Sequence, residues 1–353
     1  MARRITRDDG IAVGHQAGRG RPDSDLFRQR RGSAASFIPM KVTRGYSSRT
    51  VRPYPVGTIG NFDGHHRGHH ALLQRVIETA RKKEGTAVVL TFDPHPVKIL
   101  APQADFRFLT DGREKLARFE QAGIDEVVLV EFTRTFASLT PELFAEQVLY
   151  NGLGFKEIFV GQHFAFGHKR AGKIDDLRRL GEQFDFMVHP TPPVTLDGGV
   201  VSSTRIRQLI MAGQVDQAML LLGRPYALSG IVIPGDGRGH TLGCPTANLP
   251  LPLDRVTPAD GIYASITTVG TDRHDSVTYV GSKPTFPGGT RGLEVYLLNG
   301  QYDLYGRAIT VELIDRVRGD AQFDGEEALR RQMAIDVESA RQLLRRYHDA
   351  MEA

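Results

Sequence analysis

Between about residue 53 and residue 190, short apolar runs alternate with amphipathic stretches along the chain. Most of the runs are continuously apolar, which is typical of strands in a parallel sheet covered on both faces. In the first amphipathic stretch, Leu73, Ile77 and Ala80 repeat with helical spacing. The pattern predicts an α/β fold, a Rossmann-like doubly wound parallel sheet that binds ligands at the carboxyl ends of its strands. The predicted strands are Tyr54 to Ile59, Ala87 to Phe92, Glu126 to Phe132, Glu157 to Val160 and Phe184 to His189.

The pattern changes after about residue 224, where glycine, proline and threonine become frequent and the apolar runs shorten. Alternating runs from Ile262 to Thr268, Leu293 to Leu298 and Ala308 to Ile314 predict closely spaced β-strands. A helix is predicted from about Glu326 to Tyr347. We therefore expect a small antiparallel β-barrel followed by a C-terminal helix.

These patterns divide the chain into three segments. Residues 1–39 are rich in Arg, Gly and Asp and lack hydrophobic periodicity, which predicts a disordered tail or an over-extended start ahead of Met40. Residues 40–223 carry the predicted sheet, and residues 224–353 carry the predicted barrel. A chain of 353 residues is long enough to form two hydrophobic cores.

The formal charge of +4 comes entirely from the first 39 residues, which hold eight Arg and four Asp. The remaining residues balance at 37 basic and 37 acidic side chains, so nucleic acid is not an expected partner. No apolar run approaches the roughly 20 residues of a membrane span, so no membrane association is expected. Cys244 is the single cysteine, which excludes a disulfide within the chain and suits a cytoplasmic protein. We expect small-molecule partners and leave a homo-oligomer open.

The first predicted strand is followed by a glycine-rich and histidine-rich segment that opens the first helix. Glycines let the backbone approach a ligand closely, and a helix N-terminus offers free N–H groups and the positive end of its dipole to phosphate. His66 and His69 can direct imidazole N–H donors at the same oxygens. The segment predicts a polyphosphate cradle, with further candidate binding residues Gly60, Asn61, Phe62, Asp63 and Gly68. The alternatives are an exposed turn and a metal site built from His65, His66, His69 and His70.

A second segment, Val201 to Arg207, begins a helix after the last strand predicted for the sheet. Arg205 and Arg207 bring delocalised positive charge, which suits phosphate oxygens. Ser203 and Thr204 add hydroxyl groups to the candidate binding residues, and the same two side chains can instead cap the helix.

An HxGH segment after the first strand and an SSTxxR segment after the fifth resemble the HxGH nucleotidyltransferase superfamily. Two further segments are similar to those lining the flavin and adenine pocket of prokaryotic FAD synthetases. They are Thr91 to Pro96, which contains Asp93 and Pro94, and Gly161 to Gly167, which contains His163. The resemblance implies attack of the FMN phosphate on the α-phosphorus of ATP and release of pyrophosphate.

By this resemblance, His66, His69 and Arg207 stabilise the departing pyrophosphate. Two positions depart from the pattern. His163 stands where that family usually has Asp or Asn, and His65 stands where Val is usual.

The predicted barrel opens with a glycine-rich loop that contains Gly235, Gly237 and Gly243. Glycine spacing of this kind is a weak signal, because long hairpin loops are often rich in glycine. The loop ends in Pro-Thr-Ala-Asn, where Thr246 and Asn248 lie two apart and point to the same side of a strand. Their hydroxyl and amide oxygens predict a Mg²⁺ site.

This run resembles the riboflavin kinase module, as do Gly281 to Phe286 and Leu293 to Leu298. By the resemblance, Glu294 accepts the proton of the riboflavin 5′-hydroxyl, whereas alternation alone would make it a solvent-facing strand residue. Four residues depart from the pattern around the expected flavin pocket: Tyr279, Tyr296, Asn299 and Gly300.

Together the motifs resemble the prokaryotic bifunctional riboflavin kinase/FMN adenylyltransferases, which implies a transferase using ATP, riboflavin and FMN as substrates with Mg²⁺. The departures leave open an FMN adenylyltransferase with a weakened kinase half. A third hypothesis is a non-catalytic flavin-binding protein, which would lack the catalytic groups that this sequence retains.

Overall fold

The structure is a computed structural model, and it describes residues 39–46, 51–235, 245–282, 291–300 and 302–352. Residues 1–38 of the predicted tail lie outside these ranges. So do Gly237, Gly243 and Cys244, together with residues 283–290.

The first part of the chain, residues 39–222, forms a six-stranded parallel sheet and is called the sheet region below. Its strands follow the spatial order β1-β4-β3-β2-β5-β6, so the direction of winding changes between β2 and β5. In open α/β sheets, ligands bind outside the carboxyl ends of the strands at such a switch point. The strands are β1 (Lys41–Arg44), β2 (Pro55–Ile59), β3 (Thr86–Phe92), β4 (Glu126–Val130), β5 (Glu157–Gly161) and β6 (Met187–Thr191).

The central strands form because both of their faces are buried. Val88 and Leu90 of β3 join the core on one face of the sheet, while Ala87 and Val89 join the core on the other. Alternate residues thus serve two apolar layers, which explains the continuous apolar runs seen in the sequence. A short antiparallel hairpin, β7 (Thr195–Leu196) and β8 (Gly199–Val200), precedes the last helices of the region.

Helices cover the two faces of the sheet. The first, α1, carries Leu73, Val76 and Ala80 into the core and ends in basic residues that complement its dipole. After α5 the chain continues as a π-helical turn, Phe144–Tyr150. The helices are α1 (Arg67–Lys82), α2 (Pro96–Leu100), α3 (Gly112–Ala122), α4 (Arg134–Ala137), α5 (Pro141–Leu143), α6 (Ile174–Phe184), α7 (Ser203–Met211) and α8 (Val215–Leu222).

The second part, residues 223–352, is a six-stranded antiparallel barrel and is called the barrel region below. Its spatial order is β10-β13-β12-β11-β14-β9, and the backbone N–H of Ile233 donates to the carbonyl of Asn248 at 2.9 Å where the two end strands approach. The strands are β9 (Tyr226–Ile231), β10 (Ala247–Pro250), β11 (Gly261–Val269), β12 (Asp272–Ser282), β13 (Arg291–Leu297) and β14 (Ala308–Gly319).

A long C-terminal helix, α9 (Glu326–Glu352), packs Ala340 and Leu344 against Ala264 and Ile266 on the outer face of the barrel. The predicted fold class is therefore confirmed, including the barrel and its helix. Among the described residues, no helix combines the length and the apolar character needed to cross a membrane.

Candidate active sites

The two motifs predicted for the first site meet at the carboxyl ends of the sheet strands. The chain leaves β2 at Ile59, passes through the glycine-rich segment and enters α1 at Arg67. The Ser203 hydroxyl at the start of α7 donates to the Asp63 carbonyl at 2.8 Å. A Cβ atom on Gly68 would lie 3.1 Å from the His66 ring, so glycine permits this close approach.

The rings of the cradle histidines stack on each other, with His66 buried and His69 half-buried. The rings of His66 and His69 lie 3.6 Å apart with 15° between their planes. His66 is the N-cap of α1, and its Nδ1 accepts from the backbone N–H of His69 at 3.2 Å. Burial lowers the pKa of His66 to about 4 and holds the pKa of His69 well below its ordinary value. Both imidazoles are therefore neutral near pH 7.

The cap also selects the tautomer of His66. A neutral imidazole carries one N–H, and Nδ1 is occupied as an acceptor, so the proton resides on Nε2. His66 therefore carries its N–H donor on Nε2.

Asp63 and Arg207 form an ion pair beside this stack, in which Asp63 is buried and Arg207 is half-buried. The Asp63 carboxylate also accepts from the backbone N–H groups of Leu109 and Thr110 at 3.0 to 3.1 Å. Arg207 donates to the Arg107 carbonyl at 2.9 Å. These contacts make Asp63 a support for the guanidinium of Arg207, a role that the sequence did not indicate.

The remaining residues of the second motif are placed differently from the sequence prediction. Ser202, not Ser203 or Thr204, caps α7, because its hydroxyl accepts from the Arg205 N–H at 3.3 Å. Thr204 is exposed. Arg205 donates to two carbonyls of the β7–β8 hairpin at 3.0 and 3.1 Å, so the structure ties it to the hairpin.

A cavity of about 160 Å³, called the flank cavity here, opens beside the cradle. The buried Oδ1 atom of Asn61 has no hydrogen-bond partner within the described part of the chain, which leaves an acceptor for a ligand. Exposed Asp93 and the cis-linked Pro94 also line the cavity. Its walls are Asn61, Asp63, Phe92, Asp93, Pro94, His95, Lys98, Phe108, Thr110, Asp111, Gly112, Lys115, Asp254 and Arg255.

Three other candidates for the first site differ in burial. Phe62 is buried, with its ring edge against Phe119, so it anchors the segment between β2 and α1 in the core. A Cβ atom on Gly60 would lie 3.1 Å from the Phe62 ring. His163 is exposed on the segment after β5, outside the walls of the flank cavity.

The barrel brings the candidates of the second site into register. Asn248 of β10 lies opposite Glu294 of β13, which in turn lies opposite Tyr279 of β12. Directly opposed residues of an antiparallel sheet share a face, and the neighbours of Glu294 on β13 point into the barrel core. The three side chains therefore lie on the outer face. Asn248 is buried, and a Cβ atom on Gly235 would meet its amide group, so the backbone there closes tightly over it.

Thr246 lies just before β10 and is half-buried. Within the described residues, no group of three or more His, Cys, Asp or Glu side chains could hold a metal ion. The oxygen donors that the barrel places side by side are the amide of Asn248 and the carboxylate of Glu294.

Comparison with known proteins covers both regions. A family model described as FAD synthetase matches residues 50–205, and one described as riboflavin kinase matches residues 222–344. The bifunctional riboflavin kinase/FMN adenylyltransferase of Escherichia coli K12 is 39% identical over 306 residues, which cover 86% of this chain and 97% of the relative. The Pseudomonas fluorescens protein of the same name is 36% identical over 306 residues, covering 86% and 98%.

The chain belongs to the bifunctional riboflavin kinase/FMN adenylyltransferase family.

A solved structure is similar to this chain across both regions. The crystal structure named as a macrolide-efflux protein from Streptococcus pneumoniae superposes with a TM-score of 0.78 at 32% identity. The match covers 86% of this chain and 99% of that one. The sheet and barrel regions thus share a common arrangement in the two proteins.

Several residues at the first site of this family member were missed from the sequence. Lys115 of α3 donates to the Thr91 hydroxyl at 3.3 Å, and burial lowers its pKa. Arg224 and Arg255 reach the same site from the barrel region. No spacing rule could find them, because each comes from an element far away in sequence.

The departures from the riboflavin kinase pattern have definite places. The Tyr279 hydroxyl lies over Gly281, where a Cβ atom would meet it at 2.2 Å. Burial, with the nearby carboxylates adding to it, raises the pKa of Tyr279 to about 12. Tyr296 packs beneath α9, and Asn299 and Gly300 are exposed.

Proposed function

We propose that this chain makes FMN from riboflavin on the barrel region and FAD from FMN on the sheet region, using ATP in both reactions, in the cytoplasm. The observation that carries the proposal is the presence of two different candidate residue sets, one on each region of the chain. At the carboxyl ends of the sheet strands lie His66, His69 and Arg207. On the outer face of the barrel lie Asn248 and Glu294.

In the adenylylation, an oxygen of the FMN phosphate bonds to the α-phosphorus of ATP as the bond from that phosphorus to the bridging oxygen of the β-phosphate breaks. Pyrophosphate leaves with the bonding electrons. The Nε2–H of His66 and the guanidinium of Arg207 are suited to stabilise this developing charge, and His69 stacks against His66. No protein nucleophile is required, so alignment and charge stabilisation supply the rate.

In the phosphorylation, the riboflavin 5′-hydroxyl attacks the γ-phosphorus of ATP, and ADP leaves. Glu294 accepts the hydroxyl proton as the new bond forms. The register of β10 and β13 places Glu294 beside Asn248, so the proton acceptor lies next to the proposed phosphate site.

Mg²⁺ fits the donor set of the barrel. Thr246 and Asn248 offer neutral oxygens, and Mg²⁺ commonly completes its coordination with water and substrate phosphates instead of a full set of protein ligands. When bound, Mg²⁺ offsets the phosphate charge. Gly235, Gly237 and Gly243 are proposed to surround the same phosphates, of which only Gly235 lies in the described part of the chain.

One observation favours a second candidate, an adenylyltransferase with a slow kinase half. Tyr279 shares the face of Glu294 and lies opposite it, so a phenol stands where the flavin is expected to approach.

The test is incubation of the purified protein with riboflavin, ATP and Mg²⁺, followed by chromatography. Sequential appearance of FMN and FAD is expected. Unchanged riboflavin, together with FAD formation when FMN is supplied, would establish the second candidate instead, and no reaction with either flavin would overturn both.

A further inference from the structure

Two arginines of the barrel region extend into the first site. Arg224 donates through Nη1 to the carbonyls of Gly64 and His65 at 3.0 and 3.3 Å, and through Nη2 to Glu114 at 3.1 Å. The carbonyls belong to the segment that carries the cradle histidines. The barrel region thus holds this segment directly.

Arg255 holds the other side of the site. Its Nη2 donates to the Leu109 carbonyl at 2.9 Å and to the Ala227 carbonyl at 3.0 Å, so it links the two regions. The carboxylates of Asp111 and Glu114 lie 3.4 and 3.5 Å from its guanidinium. The Arg255 side chain is only 7% exposed, which limits competition from water for these contacts.

The backbone reinforces this link. The N–H of Phe108 donates to the Asp254 carbonyl at 2.7 Å, and the N–H of Val256 donates to the Phe108 carbonyl at 3.0 Å. Leu109, which follows Phe108, donates its N–H to the Asp63 carboxylate. A continuous set of contacts therefore runs from Arg255 through Leu109 to Asp63 and on to Arg207.

We propose that Arg255 and Arg224 are positioning residues for adenylyl transfer, by which the barrel region fixes the geometry of the site on the sheet region. Arg255 aligns Arg207 through the Leu109–Thr110 segment and Asp63, and Arg224 fixes the loop of the cradle histidines. The inference rests on the proposed function of that site.

The flank cavity supports the same inference. Asp254 and Arg255 of the barrel region line it together with Asn61 and Asp93 of the sheet region, so the two regions form the cavity jointly. Lys98 of the sheet region pairs with Asp254 at 3.3 Å in the cavity wall. The site on the sheet region is therefore incomplete without the barrel region.

The experiment uses the full chain with Arg255→Met, which keeps much of the side-chain volume and removes the donors. Adenylylation is measured from FMN and ATP, and phosphorylation from riboflavin and ATP. We expect kcat for adenylylation to fall about 10- to 100-fold, because small displacements of catalytic groups cost rates of this order. The kinase rate should change by less than about twofold. Arg224→Met should likewise lower the adenylylation rate and leave the kinase rate nearly unchanged.

Arg52→Met is the matched control. Arg52 is also a buried arginine that pairs with a glutamate, Glu126, but this pair lies at the amino end of β4, away from the carboxyl ends where the site is built. Its loss should lower the urea midpoint while leaving the adenylylation rate per folded molecule unchanged. A fall of both activities in the Arg255 variant, in proportion to its loss of stability, would show a purely structural role and overturn the proposal.

A double-mutant cycle with Asp63→Asn tests whether Arg255 acts on Arg207 through Asp63. If Arg255 acts through Asp63, Arg255→Met must cost less in the Asp63→Asn background than in the wild type. Additive losses, or wild-type adenylylation by Arg255→Met, contradict the inference. Should Arg255→Met fold poorly, Arg255→Lys retains the charge but not the paired donors and is expected to give a smaller loss of the same kind. A wild-type protein that forms no FAD from FMN would contradict the proposed function instead.

Discussion

His65 is a buried polar side chain next to the cradle histidines. It is fully buried, and neither ring nitrogen has a hydrogen-bond partner among the described residues. Its ring contacts Phe119 edge-on, with centroids 4.4 Å apart. Burial first, then the charges of His70, Arg224, Arg118 and Lys115, holds the pKa of His65 well below its ordinary value. The folded protein therefore keeps this imidazole neutral.

We expect His65→Val to stabilise the protein, and more so in acid. At pH 7.5 the gain arises from removing unsatisfied buried polar atoms, an effect of about 1–3 kcal/mol. Below an unfolded pKa near 6.5, the unfolded wild type binds a proton that the folded state refuses, so wild-type stability falls as pH decreases. The valine variant lacks this loss.

Urea unfolding of both proteins at pH 7.5 and pH 5.5 measures the effect. The other cradle histidines are common to both proteins, so the difference between the two midpoints isolates His65. A difference that is zero, or that shrinks at pH 5.5, would contradict the assignment of His65 as a buried neutral base.

Residue types and spacing were enough to predict the candidate site only where the partners are close in sequence. The His66–His69 pair lies within one helical turn, and the sequence reveals it. The contacts of Asp63 with Leu109 and Arg207 span 46 and 144 residues, so no local pattern contains them. The role of Asp63 as a support became visible only in the fold.

At the level of elements, continuous apolar runs predicted strands correctly, whereas strands with polar residues on their inner face were missed. The structure contains β2 to β6 close to their predicted positions, but the sequence analysis assigned no strand to β1 or β12. In β12, Ser276 and Thr278 point inward and are fully buried. Both hydroxyls bond the Ser265 hydroxyl at 2.7 to 2.8 Å, so hydrogen bonds inside the barrel replace the apolar pattern on which the prediction depends.

The edge strand β1 leads to a prediction about truncation. Thr43 donates to the buried Glu126 carboxylate at 2.6 Å, and the strand pairs along β4. We expect deletion of residues 1–39 to leave both activities and the urea midpoint unchanged. Deletion of residues 1–46 should lower the free energy of unfolding by about 1–3 kcal/mol, because the buried Glu126 carboxylate loses the Thr43 donor and β4 becomes an open edge.

The two truncations are compared with the full chain by urea unfolding and by light scattering. Loss of stability or activity on deleting residues 1–39 would show that the tail has a role. Equal stability of both truncations would show that β1 contributes nothing to the fold.

For the whole molecule, the predicted boundary between residues 223 and 224 separates the sheet from the barrel along the chain, but the core continues across it. Ile210 of α7 and Leu221 of α8 belong to the same apolar cluster as Tyr226 and Leu313 of the barrel. The sequence could not reveal this, because the apolar faces of α7 and α8 do not indicate which partner they cover. The boundary between residues 223 and 224 therefore remains a prediction about where the sequence divides, and the apolar core is not divided there.

The separation of the two sites leads to a prediction of separable activities despite this shared core. Glu294→Gln preserves the shape of the side chain and removes the base, so FMN formation should fall about 10²- to 10⁴-fold. The same variant, supplied with FMN, should make FAD at the wild-type rate because His66, His69 and Arg207 are untouched.

His66→Ala combined with His69→Ala should give the reverse, since the cradle loses the Nε2–H donor of His66 and the ring stacked against it. Riboflavin would then be converted to FMN and the reaction would stop there. Each variant is first shown to unfold cooperatively with a urea midpoint near that of the wild type, and flavins are then separated by chromatography. A folded Glu294→Gln protein unable to make FAD from FMN would rule out two separate sites, and a single shared site would have to account for both reactions.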